Sequence, residues 1–340
     1  MSRTQSSQRG VALVTILFVV ALISAIAYQL MQQQSLTIAQ ARATFNGAQA
    51  RHFALGAEAL ARQALFEDFN NADTRDVDHL QELWARPLAP FEIESGYLEV
   101  QLTDLHGCFN VNALADTAAA EDDDETPAPN SDERPGTLRP LPALKTLLRS
   151  LALDDNLADA IKDWVDSDQT VTDFGAEDSD YLIAEPTYRT PDQPMLSLTE
   201  LRAVKGMEPE VVQALSPHLC ARPDTDLAIN INTVSAQAML ALSDQLTLAS
   251  AEPFTSAERT YSDVAAVVQE LPELAPAAVA LVVRSEYFAL DVRAEYDGAR
   301  VELRSVLRRR ADGTIDVVSR DFGHRFASRL RFTTDDEDEA

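Results

Sequence analysis

Histidine is scarce in this chain, and basic charge is half as abundant as acidic. Five histidines occur in 340 residues, and none are spaced at i, i+4. That leaves no helical histidine pair of the kind metalloenzymes use to hold zinc. Two cysteines are too few for a disulfide-rich scaffold or a four-thiolate zinc centre. Lys and Arg number 28 against 55 Asp and Glu, a net charge of −27. Such a chain repels phosphate backbones, so nucleic acid is not an expected partner. The sequence has no nucleophile-elbow motif, no phosphate-binding loop and no H-E-x-x-H helix. Carboxylate pairs abound, but nothing selects one as a catalytic dyad, and the chain is not read as an enzyme. What remains is an apolar fraction of 46%, enough for a sizeable core, and a length suited to about two domains.

The most informative stretch runs from Val11 to Leu30, twenty residues without a formal charge. As a helix it spans roughly 30 Å, one hydrocarbon thickness. Arg3 and Arg9 precede it with no acidic residue between. Positive-inside logic keeps that end cytoplasmic and sends the remainder outward. Three processing routes fit: an uncleaved anchor, signal peptidase cleavage after Ala27, or a prepilin-type leader cut between Gly10 and Val11. The next segment favours the last. Residues 31–69 lack proline and keep helical apolar spacing through Leu36, Phe45, Phe53, Leu60 and Leu65. One unbroken helix is expected to about Phe69, and cleavage after Ala27 would discard its apolar half.

Beyond the stalk, residues 97–112 read as a strand running into a turn, and 120–136 as an acidic, proline-bearing surface loop. From Leu141 to about Glu286 the pattern is helical. From Tyr287 onward, Phe288, Leu290, Val292, Ala294 and Tyr296 alternate with charged residues. Asp297-Gly298 and Asp312-Gly313 then mark the two turns of a three-stranded antiparallel meander. Arg308, Arg309 and Arg310 read as a solvated strand end, and Asp335 to Glu339 as a solvated tail.

A basic leader ending in glycine, an apolar helix and a small antiparallel sheet resemble the type IV pilin and pseudopilin superfamily. The stretches GVALVTILFVVAL, ALGAEALARQAL, HLQELWARPLAP, DLHGCFNVNAL, DWVDSD, GAEDSDYL, SLTELRAVKGM and INTVSAQAMLAL, in that order, narrow it. They resemble the minor pseudopilin K family of type II secretion systems (general secretion pathway protein K). The resemblance implies an α+β fold: a pilin-like long N-terminal helix and a small antiparallel sheet, with a large all-α domain inserted in the sheet. The expected divisions are a leader at 1–10, a transmembrane helix at 11–30 and the first part of the α/β domain at 31–112. An inserted helical domain at 113–286, the meander at 287–332 and an acidic tail at 333–340 complete the chain.

The same resemblance implies removal of the leader by prepilin peptidase after Gly10, methylation of Val11, and a single-pass inner-membrane protein. Its implied partners are the minor pseudopilins I and J and the other pseudopilins. Thr15 would be the fifth mature residue, where most pilins and pseudopilins carry a glutamate. That carboxylate is thought to neutralise the N-terminal ammonium of a neighbouring subunit, and unpaired it would be costly in lipid. A subunit at the fibre tip has no neighbour ahead of it, and threonine suits that place.

Residues 163–181 concentrate carboxylates that repel one another unless a cation intervenes. The start, Asp-x-Asp-x-Thr, is EF-hand-like, but the sixth position, which needs glycine in that motif, is Val171. The family resemblance implies calcium in the helical domain, with Asp166, Asp168, Thr170, Glu177 and Asp178 as its expected ligands; a solvated acidic turn is the alternative. The resemblance also implies pairing of Cys108 with Cys220, against two buried free thiols. Val204-Lys205-Gly206-Met207 and Asn230-Ile231-Asn232-Thr233 resemble helix-hairpin-helix elements of DNA-uptake proteins. Glu200, Glu208 and Glu210 around Lys205 favour a packing role without DNA.

Overall fold

The computed structural model describes residues 9–86, 88–115 and 138–326. The leader up to residue 8, the acidic stretch 120–136 and the tail from 333 lie outside the described residues. A single 62-residue helix, α1 (Arg9–Asn70), opens the chain. Its first half is bare: Leu13, Leu17, Phe18 and Ile23 all point outward. The second half buries Ala50, Ala54, Ala57, Ala61 and Leu65, spaced three or four residues apart on one face. Alanine on that stripe lets the helix axis approach the sheet beneath it.

That sheet has five antiparallel strands in the order β1–β2–β7–β8–β9. They are β1 (Phe91–Ile93), β2 (Gly96–Asp104), β7 (Tyr287–Tyr296), β8 (Ala299–Arg309) and β9 (Ile315–Asp321). Phe288, Leu290, Val292 and Ala294 of β7 face α1, together with Leu303 and Leu307 of β8. The meander turns as its dipeptides require: Asp297 and Gly298 both have positive φ, at 46° and 79°. Glu58 pins the helix to the sheet. It accepts from Arg320 Nε and Nη2, each at 2.7 Å, and from Ser305 Oγ at 2.7 Å. Burial pushes its carboxyl up, but these hydrogen bonds and the Arg320 charge bring it below the usual range.

β2 pairs directly with β7, from Gly96 opposite Tyr296 to Asp104 opposite Phe288. Everything between Leu105 and Glu286 is therefore an excursion between two neighbouring strands, leaving and returning at one sheet end. The excursion has two apolar cores. One is built by α2 (Pro140–Ser150), α3 (Leu157–Val165), α4 (Asp178–Tyr181) and α5 (Pro209–Leu215) around Leu144, Leu148, Ile161 and Leu201. The other is built by α6 (Ala236–Met239), α7 (Leu248–Ser256) and α8 (Val264–Glu270) around Ile231, Met239 and Leu274.

The insert is not purely helical. Two short parallel bridges close its lobes: β3 (Phe109–Asn110) with β4 (Leu219–Cys220), and β5 (Ile229–Asn230) with β6 (Leu281–Val282). Two-residue strands leave no alternation for a pattern to reveal. Asn230, read as part of a helix opening, instead lies on β5. It is fully buried, and its Nδ2 donates to Asp104 Oδ2, Ser285 Oγ and the Asp78 carbonyl. The arginine run also differs from expectation. Arg308 and Arg310 lie outside, paired with Glu286 and Asp316, but Arg309 is buried and pairs with Asp68 and Asp78. Alternation along β8 turns the middle arginine inward, where carboxylates from the end of α1 and the loop after it meet it.

Candidate cation site in the first lobe of the insert

α3 forms because Ala158, Ile161, Trp164 and Val165 make one apolar face. Asp159, Asp163 and Asp166 follow at i, i+4 and i+7, which carries them along one side of the same helix. Each acid meets a different environment. Asp159 pairs with Lys145 Nζ at 2.7 Å. Asp163 accepts the Thr172 N–H at 3.1 Å, and burial raises its carboxyl above the usual range. Asp166 ends the helix with its own N–H bonded to the Lys162 carbonyl at 2.9 Å. Its carboxylate lies 3.4 Å from Lys162 Nζ.

The loop after α3 then folds back. Gly175 donates to the Thr172 carbonyl at 2.5 Å, and a Cβ at Gly175 would collide with Asp163 Oδ2. This turn brings Glu177, at the N-terminus of α4, to Asp166 and Asp168. One oxygen from each of Asp166, Asp168 and Glu177 lies within 4.8 Å of the other two. Both oxygens of Glu177 are buried without a hydrogen-bond donor among the described residues, and Asp166 has only the Lys162 ammonium at 3.4 Å. Burial, and then the neighbouring carboxylates, push Glu177 up to about 8. Burial also pushes Asp166 up to about 6 against the opposing charge of Lys162. Buried carboxylates without donors are expensive, and a hard divalent cation supplies what they lack. The donor set therefore fits calcium: carboxylate oxygens presented by a loop, with one of them, Asp168, open to solvent.

The other two expected ligands stand differently. Thr170 follows the cluster and donates its N–H to Asp168 Oδ1 at 2.6 Å. Asp178 faces away toward Arg189, at 2.6 Å, and accepts the N–H and hydroxyl of Thr190, each at 3.1 Å. Asp192 is a carboxylate that the spacing did not suggest. It comes from a separate loop, its charge acts on Glu177, and its buried Oδ1 has no donor. Only the fold brings it there.

Cys108 and Cys220 form a disulfide with Cα atoms 5.7 Å apart, beside the β3–β4 bridge. It sits on a small apolar patch with Leu105, Tyr287 and Ala289, where the insert meets the sheet. Gly10 and Val11 lie in the first turn of α1. Thr15 satisfies its hydroxyl within the helix, donating to the Ala12 carbonyl at 2.9 Å. Among the described residues one helix, spanning Ala12–Asn70, is long and apolar enough to cross a membrane, and its most apolar stretch is wholly exposed. In the hairpin-like element, Gly206 has φ +81°, and Lys205 pairs with Asp180 at 2.7 Å.

Residues 107–224, which span the disulfide and the carboxylate cluster, match the family model described as type II secretion system (T2SS), protein K. The type II secretion system protein K of Aeromonas hydrophila is 32% identical over 92% of this chain and 96% of its own length. That of Klebsiella pneumoniae is likewise 32% identical, over 93% of this chain and 97% of its own. The chain belongs to the type II secretion system protein K family. The protein K fold matches a solved structure as well, the GspK–GspI–GspJ complex of enterotoxigenic Escherichia coli. The TM-score is 0.70 at 26% identity, covering 84% of this chain and 100% of the other.

Proposed function

We propose that this protein is the minor pseudopilin that occupies the tip of the type II secretion pseudopilus. There it helps initiate pseudopilus assembly and the export of folded proteins across the outer membrane. The observation that carries the reading is the excursion between β2 and β7. It is a two-lobed body attached at one end of a pilin-like sheet, while the membrane-proximal half of α1 stays bare for helix packing. A subunit built that way has a stalk for joining the fibre and a bulk that obstructs a further subunit above it. Thr15 agrees: its hydroxyl is satisfied by its own helix, so it needs no ammonium ahead of it.

In this reading prepilin peptidase cuts after Gly10 and Val11 is methylated. The apolar half of α1 then holds the protein in the inner membrane with its C-terminal domains in the periplasm. The solved neighbour is a complex of K with I and J, which supports minor pseudopilins I and J as its immediate partners and the remaining pseudopilins as the fibre below. Small residues along α1 suit close helix packing in lipid. Calcium held by Asp166, Asp168 and Glu177, with Asp192 beside them, would neutralise the buried carboxylates and fix the α3–α4 loop. Its role is structural, and the protein is not an enzyme.

The test is the mature N-terminus of membrane-extracted protein, read by intact mass and N-terminal peptide mass spectrometry. A chain starting at Val11, with or without one methyl group, supports the reading. A chain starting at Tyr28 overturns it.

A further inference from the structure

A second group of carboxylates lies where α1 ends, near Arg309 of β8. One oxygen each of Asp68, at the end of α1, and of Asp78 and Glu82, in the loop after it, lie within 4.8 Å of one another. Asp78 is fully buried and Glu82 is 4% exposed. Each of these two has one oxygen anchored and one without a donor. Asp78 Oδ2 accepts from Arg309 and from the Ser285 N–H, the latter at 2.7 Å, while its Oδ1 has no partner. Glu82 Oε2 accepts the Trp84 indole N–H, while its Oε1 has no hydrogen-bond donor and has only the His79 ring at 3.6 Å. Among the described residues, Arg309, reaching Asp68 at 3.2 Å, is the guanidinium paired with these acids.

Three carboxylates against one guanidinium leave a buried deficit of positive charge. Two fully desolvated oxygens without donors are the costly form of that deficit. Anchoring one oxygen of a carboxylate while leaving the other bare is how outer-shell donors orient a metal ligand. We propose that Asp68, Asp78 and Glu82 form a cation site for a hard divalent ion such as calcium, separate from the Asp166 cluster. The ion would tie the end of α1 to the loop that follows it, beside Arg309 of β8. It would thereby brace the sheet end from which the insert departs.

The chain's two tryptophans make the test site-specific. Trp84 contacts Glu82, and Trp164 lies on α3 between Asp163 and Asp166. Terbium, a luminescent stand-in for calcium, is titrated into the detergent-solubilised full chain carrying Trp164→Phe, with excitation at the red edge where tyrosine does not absorb, so that only Trp84 sensitises it. The expected result is sensitised emission that calcium displaces and that persists when Asp166→Asn and Glu177→Gln are added. Adding Glu82→Gln instead weakens terbium binding by about tenfold or more, the scale of losing one well-placed ligand contact. Circular dichroism checks that this variant folds. Lifetimes in light and heavy water provide a second readout in the unmutated site: a bound ion stripped of most of its waters is expected. No emission through Trp84, or a fully hydrated ion, overturns the proposal. So does emission that Glu82→Gln leaves unchanged in a folded chain. The converse chain, Trp84→Phe, reports only the Asp166 cluster, so failure of one site is distinguishable from failure of the other.

Discussion

Breaking the Cys108–Cys220 disulfide should loosen the first lobe of the insert and leave the pilin-like sheet nearly untouched. The bond closes a loop of sequence separation 112, and nearly the whole of the first apolar core lies inside that loop. In the chain-entropy description, a closed loop of that length contributes about 4.8 kcal/mol near room temperature. The core of α1 and the sheet lies outside it, held by its own packing and by Glu58 with Arg320 and Ser305. The perturbation is Cys108→Ala with Cys220→Ala, compared with wild type under oxidising and reducing conditions. Urea unfolding is followed by fluorescence in two backgrounds. Trp84→Phe leaves Trp164, which sits in the first lobe against Tyr181, and Trp164→Phe leaves Trp84, which packs edge-on against Phe288 of β7. With a urea slope of about 2 kcal/mol per molar, the Trp164 transition should fall by about 2 M. The Trp84 transition should move far less. A Trp164 shift worth less than about 1 kcal/mol, or equal shifts of both probes, would refute the reasoning that the cross-link acts on one lobe.

Three further outcomes follow from the same geometry. Calcium should raise the melting temperature more at about pH 8 than at about pH 5. Burial lifts Asp166 to about 6 and Glu177 to about 8, so the cation-free fold holds protons that the unfolded chain releases near pH 4, and it loses stability as pH rises through that window. A calcium shift equal at both pH values would contradict this. Gly175→Ala should weaken calcium binding by about tenfold or more while leaving the sheet intact, because the added Cβ meets Asp163 and disturbs the turn presenting Glu177; isothermal titration reads it, and unchanged affinity would count against the loop's role. Leu65→Ala should cost about 2–5 kcal/mol in the Trp84 transition, since Leu65 is fully buried between α1 and the sheet; a cost near zero would mean the helix is not clamped there.

The sequence made some of this architecture legible because strong periodicities carried it. Twenty uncharged residues and a proline-free continuation announced α1, and strict alternation with two Asp-Gly turns announced β7, β8 and β9. The short parallel bridges β3–β4 and β5–β6 were not legible, because two residues carry no period and their partners lie far along the chain. The carboxylate cluster of the first lobe could be anticipated only in part, for the same reason. Asp166, Asp168 and Glu177 are close in sequence, but Asp178 turns to Arg189 and Thr190, and Asp192 arrives from another loop. Arg309 hid within three consecutive arginines. Its inward direction follows from strand alternation, but its partners Asp68 and Asp78 come from more than 200 residues upstream, as sequence separations of 241 and 231 record. Asp104 likewise gathers Thr233, Ser285 and Asn230 at the insert's base, a convergence that only the tertiary fold creates.

The position of this subunit in the fibre is the claim on which the account turns. The most direct measurement labels the insert with a gold-conjugated antibody on pseudopili assembled with this protein and images them by electron microscopy. Label at one end of each fibre is the expected result. Label distributed along the shaft would contradict the placement, because a subunit with a two-lobed body at the end of its sheet would then be stacking within the fibre.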